Sequence, residues 1–380
     1  MKIGLVCPYP LDIPGGVREH VLGLYGEFKK RGHKVKIIFP GGFRKQKKKR
    51  DIIFLGISFK IPSNKDHASI TFCHNLDQRI QKILEKEKFD IIHFHESYTP
   101  FSSLQILKYS KSINIATFHA CSEASPLVRT AKKISKAYLK KMAKKINGAI
   151  AVSKISLKYA IFPDKRKIII IPNGVDLSRF NTKVPPLAKF KKDKLNILFV
   201  GRITKRKGLI YLLKAFKVLK KKYPNIRLIV VGDGDQKGKA RQFVRHNKVK
   251  DVFFVGAISD KLLPSYYGSA DIFCSPATEA ESFGIVLLEA MAAGLPVVAF
   301  ANAGYRQVLK GVGEKGLVLS KNVKSLTKKI ESLIKDKKLR KNLATWGQKE
   351  VKKYSWKKVA SEVLAFYKTT QKQHSHDIIS

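Results

Sequence analysis

Acidic residues are scarce in this chain: 28 Asp and Glu stand against 76 Lys and Arg, leaving +48 over 380 residues. Such an imbalance usually points to nucleic acid or an anionic membrane, but a binding patch would concentrate the charge. Here residues 1–190 hold 37 Lys and Arg against 13 Asp and Glu, and residues 191–380 hold 39 against 15, so each half carries +24. The even spread leaves two readings standing, lysine bias on solvated faces and a functional anionic surface. Cysteine is sparse too. Cys7, Cys73, Cys121 and Cys274 form no Cys-x-x-Cys pair, which argues against a structural zinc or a disulfide framework and fits a reducing cytosol. Apolar runs of membrane-spanning length are lacking. The apolar part of Met1–Pro8 is too short for a signal peptide and reads as a first buried strand. Short repeats and low-complexity tracts are absent as well.

What is present is a steady alternation of apolar strand-like runs with amphipathic helix-like runs, the pattern of a parallel α/β architecture. In the first half, strands are predicted at Lys2–Cys7, Lys34–Phe39, Asp90–His95, Asn114–Phe118, Gly148–Val152 and Lys167–Ile171. In the second they are predicted at Leu195–Val200, Arg227–Val231, Asp251–Val255, Asp271–Ser275, Pro296–Ala299 and Gly316–Leu319. Both halves read as doubly wound, Rossmann-like domains, over residues 1–180 and 195–354, joined by a Pro- and Lys-rich linker at 181–194. Residues 355–380 are expected to form a helix that packs back on the first domain and ends in a disordered tail. Ligands of open parallel sheets collect beyond the carboxyl ends of the strands. Two such sheets facing one another would make a deep cleft, and the chemistry is expected there.

Several residues fall at those strand ends. Gly15-Gly16 follows the first strand and precedes a helix, where backbone N–H groups can approach a phosphate beside a helix N-terminus; an ordinary turn is the competing reading. Gly201-Arg-Ile-Thr-Lys-Arg-Lys-Gly208 ends a strand and opens a helix. Arg202 and Lys207, next to the flanking glycines, are expected to reach one point and neutralise a diphosphate leaving group. Lys205 and Arg206 are assigned to solvent. Asp233-Gly-Asp235 resembles a metal-holding Asp-x-Asp, but its Gly-rich setting favours a turn, and no metal is assigned. His119 follows a strand and is a candidate for a sugar hydroxyl. His93 and His95 alternate on a strand and are expected to point to opposite faces, which makes them poor partners for one metal ion.

The most informative stretch is Glu279–Ala299. Glu281 and Glu289 stand eight residues apart, a rise of about 12 Å if both lie on one helix. That separation suits an elongated ligand gripped at both ends, whereas hydrolytic carboxylate pairs stand about 5–9.5 Å apart. Ser282-Phe283-Gly284 lies just ahead of the helix bearing Glu289, and its N–H groups are natural donors to phosphate or sugar oxygens.

Taken together these motifs resemble the retaining glycosyltransferases of family four, which have the GT-B fold. The resemblance covers nearly the whole chain: the Gly-Gly loop, Thr117-Phe-His119, Ile171-Pro-Asn-Gly-Val-Asp176, the Gly-Arg…Lys-Gly turn and Glu281-Ser-Phe-Gly-Ile-Val-Leu-Leu-Glu-Ala290. It implies metal-independent transfer of a hexose from a nucleotide-diphosphate sugar, with no cofactor, an acceptor-binding first domain and a nucleotide-sugar-binding second one. By carry-over, Arg202 and Lys207 bind the diphosphate and Gly16 supports it. Glu281, Ser282 and the amides around Phe283-Gly284 hold the donor sugar, Glu289 holds the ribose, and His119 sits near the anomeric carbon. Catalysis would fall to His119, Arg202, Lys207 and Glu281.

Within the family, the opening Cys7–Val17 looks most like the phosphatidylinositol α-mannosyltransferases, which use GDP-mannose at the inner membrane face. Tyr9 and Asp12 match positions near the acceptor. Departures at Ser69–Thr71, Tyr98 and Ala124 leave the acceptor open between an inositol lipid and another lipid or glycan. The expected partners are thus a nucleotide-sugar donor, such an acceptor and an anionic membrane surface, with no nucleic acid; the expected location is the cytoplasmic face of the cell membrane. Apolar stripes at Leu76, Ile80, Ile83 and Leu84 and at Ile134, Tyr138, Met142 and Ile146 suit either a core or a membrane face. A nucleotide-sugar epimerase on the same fold and a basic nucleic-acid-binding protein are the rival readings.

Overall fold

The computed structural model describes residues 1–11, 15–41, 50–63, 66–72, 75–97, 102–119, 136–160, 162–164, 167–190 and 193–379, with backbone alone for 41, 57–63, 66–72, 136–137 and 376–379. Asp12, Tyr98, Ala124 and Ile134 lie outside the described residues. The chain forms two compact units, one of Met1–Gly174 with Trp356–Ser380 and one of Val175–Ser355. The sequence places the domain boundary at 180; the units divide at Gly174/Val175.

The first unit is built on eight strands: β1 (Lys2–Val6), β2 (Lys34–Gly41), β3 (Ile52–Ser63), β4 (Asp66–Phe72), β5 (Ile91–His95), β6 (Ile113–Phe118), β7 (Gly148–Ala151) and β8 (Ile168–Ile170). Their spatial order is β4-β3-β2-β1-β5-β6-β7-β8. Every pairing is parallel except β3 with β4. The β3–β4 hairpin was not anticipated. Helices cover both faces, so β1 and β5 are buried almost throughout, as parallel strands are.

One face packs on helix Gly16–Lys30 and on the C-terminal helix Trp356–Ile379. Val359, Ala360, Val363, Leu364 and Tyr367 of the latter join Ile3, Leu5, Val21 and Leu24 in one core. That helix runs on to Ile379, over residues expected to be a tail. The other face takes Ile80, Met142 and Ile146, with Leu76, Ile83 and Leu84 packed against them, so the described members of both apolar stripes face the core; Tyr138 is the exception at 42% exposed.

The second unit has six parallel strands, β9 (Leu195–Val200), β10 (Ile226–Val231), β11 (Val252–Gly256), β12 (Ile272–Ser275), β13 (Val297–Phe300) and β14 (Leu317–Val318), in the order β11-β10-β9-β12-β13-β14. Where the chain enters and leaves this unit, the Val175 N–H donates to the Tyr354 carbonyl at 2.8 Å. In both sheets the winding reverses once, between β1 and β5 and between β9 and β12. Such switch points leave a crevice at the carboxyl ends of the strands, and the loops that follow these four strands carry most of the candidate residues.

Candidate functional site

In the second unit, the loop after β9 closes into a single 3-10 turn, Lys205–Lys207, ended by Gly208 at φ +70. An added Cβ there would stand 2.0 Å from the Pro276 carbonyl oxygen, so only glycine lets this loop lie against the loop after β12. The two loops are then tied together. Thr278 N–H donates to the Arg206 carbonyl at 2.9 Å, and the Arg206 guanidinium donates to the Ala280 carbonyl at 2.9 Å.

Glu281 sits at the end of this tie, 9% exposed. Its Oε1 accepts from the Lys207 ammonium at 2.8 Å and from the Arg206 guanidinium. Arg206, assigned to solvent from the sequence, is thus a half-buried partner of this carboxylate, with its side chain 13% exposed. A basic run gives no sequence signal to separate it from Lys205, because the 3-10 turn decides which side chain faces inward. Arg202 lies on the same loop and is exposed.

The eight-residue helical spacing of Glu281 and Glu289 does not hold. The helix is Ile285–Ala292; Glu281 precedes it, and the backbone between turns through left-handed Gly284 (φ 109). The helix cannot extend back through such a turn, so the two carboxylates belong to separate elements. Glu289 is buried on the helix, where the Tyr267 hydroxyl donates to its Oε2 at 2.7 Å. Burial first, and then the Glu289 charge, push the Tyr267 hydroxyl well above its ordinary range, so it remains a donor. Phe283 is buried and its ring meets Tyr354 edge-on at 5.7 Å; Ser282 is half-buried beside it. Asp233 is engaged within its own turn, by Lys237 at 2.6 Å and the Gly234 N–H at 2.8 Å.

In the first unit, Gly15 is extended (φ 179) and Gly16 opens a 15-residue helix, both exposed. Tyr9 is half-buried against the core, and its carbonyl accepts from the Cys7 thiol at 3.3 Å. His119 follows β6. Its backbone N–H donates to Glu96 Oε1 at 2.8 Å, and its Nε2 lies 3.1 Å from His95 Nδ1.

Four histidines in fact cluster here. His93 and His95 are on one face of β5, their ring centroids 4.4 Å apart, which corrects the expectation of opposite faces: residues two apart on a strand share a face. His20 packs its ring 5.2 Å from His95 and 4.9 Å from His119. Burial drives His20 down to about 4 and the other three well below the usual imidazole range, so all four are neutral near pH 7.

Residues 14–179 match the family described as Glycosyltransferase Family 4, and residues 182–350 match Glycosyl transferases group 1. The phosphatidyl-myo-inositol mannosyltransferase of Mycobacterium leprae is 32% identical over 371 residues, covering 97% of each chain. The protein of the same name from Propionibacterium freudenreichii is 30% identical, covering 97% of this chain and 94% of its own. Among solved structures, a glycosyltransferase from Rickettsia africae superposes with a TM-score of 0.77 at 22% identity, over 98% of this chain and 99% of that one. Anabaena HepE, solved with UDP and glucose, gives 0.74 at 18% identity, over 96% and 99%.

Proposed function

The chain belongs to the family 4 (group 1) glycosyltransferases of GT-B fold, and from that premise we propose that it moves mannose from GDP-mannose to phosphatidylinositol or a closely related membrane lipid. The observation that carries this reading is end-to-end similarity, over 97% of both chains, to a phosphatidyl-myo-inositol mannosyltransferase. In this reading the transfer retains the anomeric configuration, uses no metal, and takes place at an anionic membrane surface on the cytoplasmic side, to which a chain of +48 is attracted.

The residues take the following parts. Lys207 and Arg202 neutralise the diphosphate as it leaves. An ammonium has three donors; Lys207 spends one on Glu281 and keeps two for phosphate oxygens. Gly16 supports the diphosphate with backbone N–H. Glu281, held in place by Arg206, accepts from hydroxyls of the sugar, and the N–H groups of Phe283 and Gly284 donate beside it with Ser282. Glu289 accepts from the ribose hydroxyls, and Tyr267 fixes its rotamer. His119 meets the sugar near the anomeric carbon, while Tyr9 and Asp12 serve the acceptor. No carboxylate is given the part of nucleophile; the acceptor oxygen attacks from the face the diphosphate leaves, and a donor phosphate oxygen takes its proton.

The test is a donor panel of GDP-mannose, UDP-glucose and UDP-N-acetylglucosamine, each with phosphatidylinositol vesicles and with EDTA. The expected outcome is an α-mannosylated lipid formed from GDP-mannose at an undiminished rate in EDTA. Conversion of the donor sugar to an epimer without acceptor would overturn the reading in favour of an epimerase. Steeply salt-dependent RNA binding without nucleotide-sugar affinity would overturn it in favour of a nucleic-acid-binding protein.

A further inference from the structure

The histidine cluster has more structure than a sugar contact at His119 requires. β5 and β6 run side by side with His95 in register with Thr117, so His95 comes directly against the residues that lead into His119. The hydrogen bonds of the cluster restrict which ring nitrogens carry protons. The buried Tyr367 hydroxyl lies 2.6 Å from His93 Nδ1 and the Thr117 hydroxyl 2.6 Å from His93 Nε2, so both ring nitrogens of His93 are paired in either tautomer. His20 Nδ1 lies 2.7 Å from the Asn173 side-chain oxygen, an acceptor, so that nitrogen carries the proton and His20 Nε2 is bare.

The remaining bond, His95 Nδ1 to His119 Nε2 at 3.1 Å, runs one of two ways. If His119 donated, His95 would carry its proton on Nε2. That nitrogen is fully buried and meets no partner among the described residues, and an orphaned N–H is among the rarest groups in a protein interior. If His95 donates, both unpartnered nitrogens, His20 Nε2 and His95 Nε2, are bare acceptors, and every fully buried ring N–H of the cluster is paired.

We propose that His95 is a positioning residue that fixes His119 as its Nδ1–H tautomer, so that His119 meets its ligand as a neutral hydrogen-bond donor. This rests on the reading that His119 contacts the donor sugar. With Nε2 occupied by His95 and Nδ1 carrying the proton, neither nitrogen of His119 is available as a base. Its contribution is an N–H held in a fixed direction, with the backbone held by Glu96. The arrangement also tells Asn and Gln apart at position 95. An Asn side-chain amide places its N–H where His places Nδ1–H, whereas Gln places it near Nε2.

Two measurements test the proposal on the full-length protein. The first is two-bond proton–nitrogen correlation NMR with labelled histidine, assigned through H95N and H119A, which reads the tautomer directly. His119 protonated on Nδ1 is expected; His119 protonated on Nε2 overturns the proposal even if His119 is essential. The second is steady-state kinetics with GDP-mannose and phosphatidylinositol. H95N is expected to keep kcat/KM within about threefold of wild type, and H95Q and H95F to lose about tenfold to a hundredfold, the worth of one buried partner left unmet. In the H119A background the same changes at 95 are expected to have no further effect. Equal losses in H95N and H95F would overturn the positioning role. Unchanged kinetics in H119A itself would remove His119 from the sugar, and with it the functional half of the proposal, while the tautomer would still be read by NMR.

Discussion

Glu281 is 9% exposed and faces two cations, Lys207 at 2.8 Å and Arg206 through its guanidinium. The two cations differ in what else they hold, so their losses should differ in kind. Arg206 also holds the Ala280 carbonyl at 2.9 Å, which makes it a brace for the loop, whereas Lys207 has donors to spare. E281Q and K207A are therefore expected to lower kcat by about a hundredfold or more, the usual scale for one electrostatic contact in a transition state, with the fold kept by circular dichroism. R206A is expected to lower the melting temperature and raise the donor KM about tenfold, by the roughly 1–3 kcal/mol of an unmet buried group. A kcat loss in R206A as large as that in K207A would move Arg206 from brace to substrate contact.

Lys207 and Glu281 were readable as candidates because glycines and an apolar helix flank them. Arg206 was not, since three neighbouring cations look alike until the turn fixes their directions. The histidines teach the same lesson at another position: the period of the strand was enough to put His93 and His95 on one face, but their link to His119 depends on β6 lying beside β5.

At the scale of elements, the alternation of apolar and amphipathic runs was enough to call two doubly wound sheets, because a parallel strand buried on both faces must be apolar over most of its length. The β3–β4 hairpin escaped that test, although Ile57, Phe59 and Ile61 alternate with smaller or polar residues. It adds the only antiparallel pairing of its sheet among the described residues, and a scan for buried parallel strands does not look for an edge. The helix spacing of the two glutamates failed for a local reason, the left-handed backbone at Gly284.

The docking of the C-terminal helix yields its own prediction. An added Cβ at Gly23 would stand 2.1 Å from the Trp356 ring, and one at Gly174 would stand 2.4 Å from it, so the indole lies against two bare backbones. G23A must displace the ring and is expected to cost about 1–3 kcal/mol, as overpacking does. W356L in the same chain should recover part of that loss, giving a coupling energy in a double-mutant cycle by urea denaturation. Additive losses would mean that the helix tolerates a shift at Trp356.

The molecule as a whole places its buried histidines unevenly. His20, His93, His95 and His119 are buried in the first unit, whereas the second unit has His246, which is exposed. For His20 the ordinary value is 6.5 and burial takes it to about 4 in the folded state. Below pH 6.5 the unfolded chain therefore binds a proton that the folded chain refuses. The stability owed to the neutral ring is fully present above 6.5 and is lost as the pH falls from 6.5 towards about 4. His20 alone accounts for at most about 3 kcal/mol over that window, and the other three histidines act in the same direction. Acid should thus open the first unit before the second.

The chain offers its own reporters, since it has two tryptophans, and one falls in each unit. Trp356 packs edge-on at 5.3 Å from His20 in the first, and Trp346 packs against the core of the second. In W346F, Trp356 emission is expected to change between pH 6.5 and about 4; in W356F, Trp346 emission should hold to lower pH. H20Q, which cannot titrate in that range, should move the Trp356 transition to lower pH. If both tryptophans respond together and H20Q leaves the midpoint where it was, the buried histidines are not what makes this protein sensitive to acid.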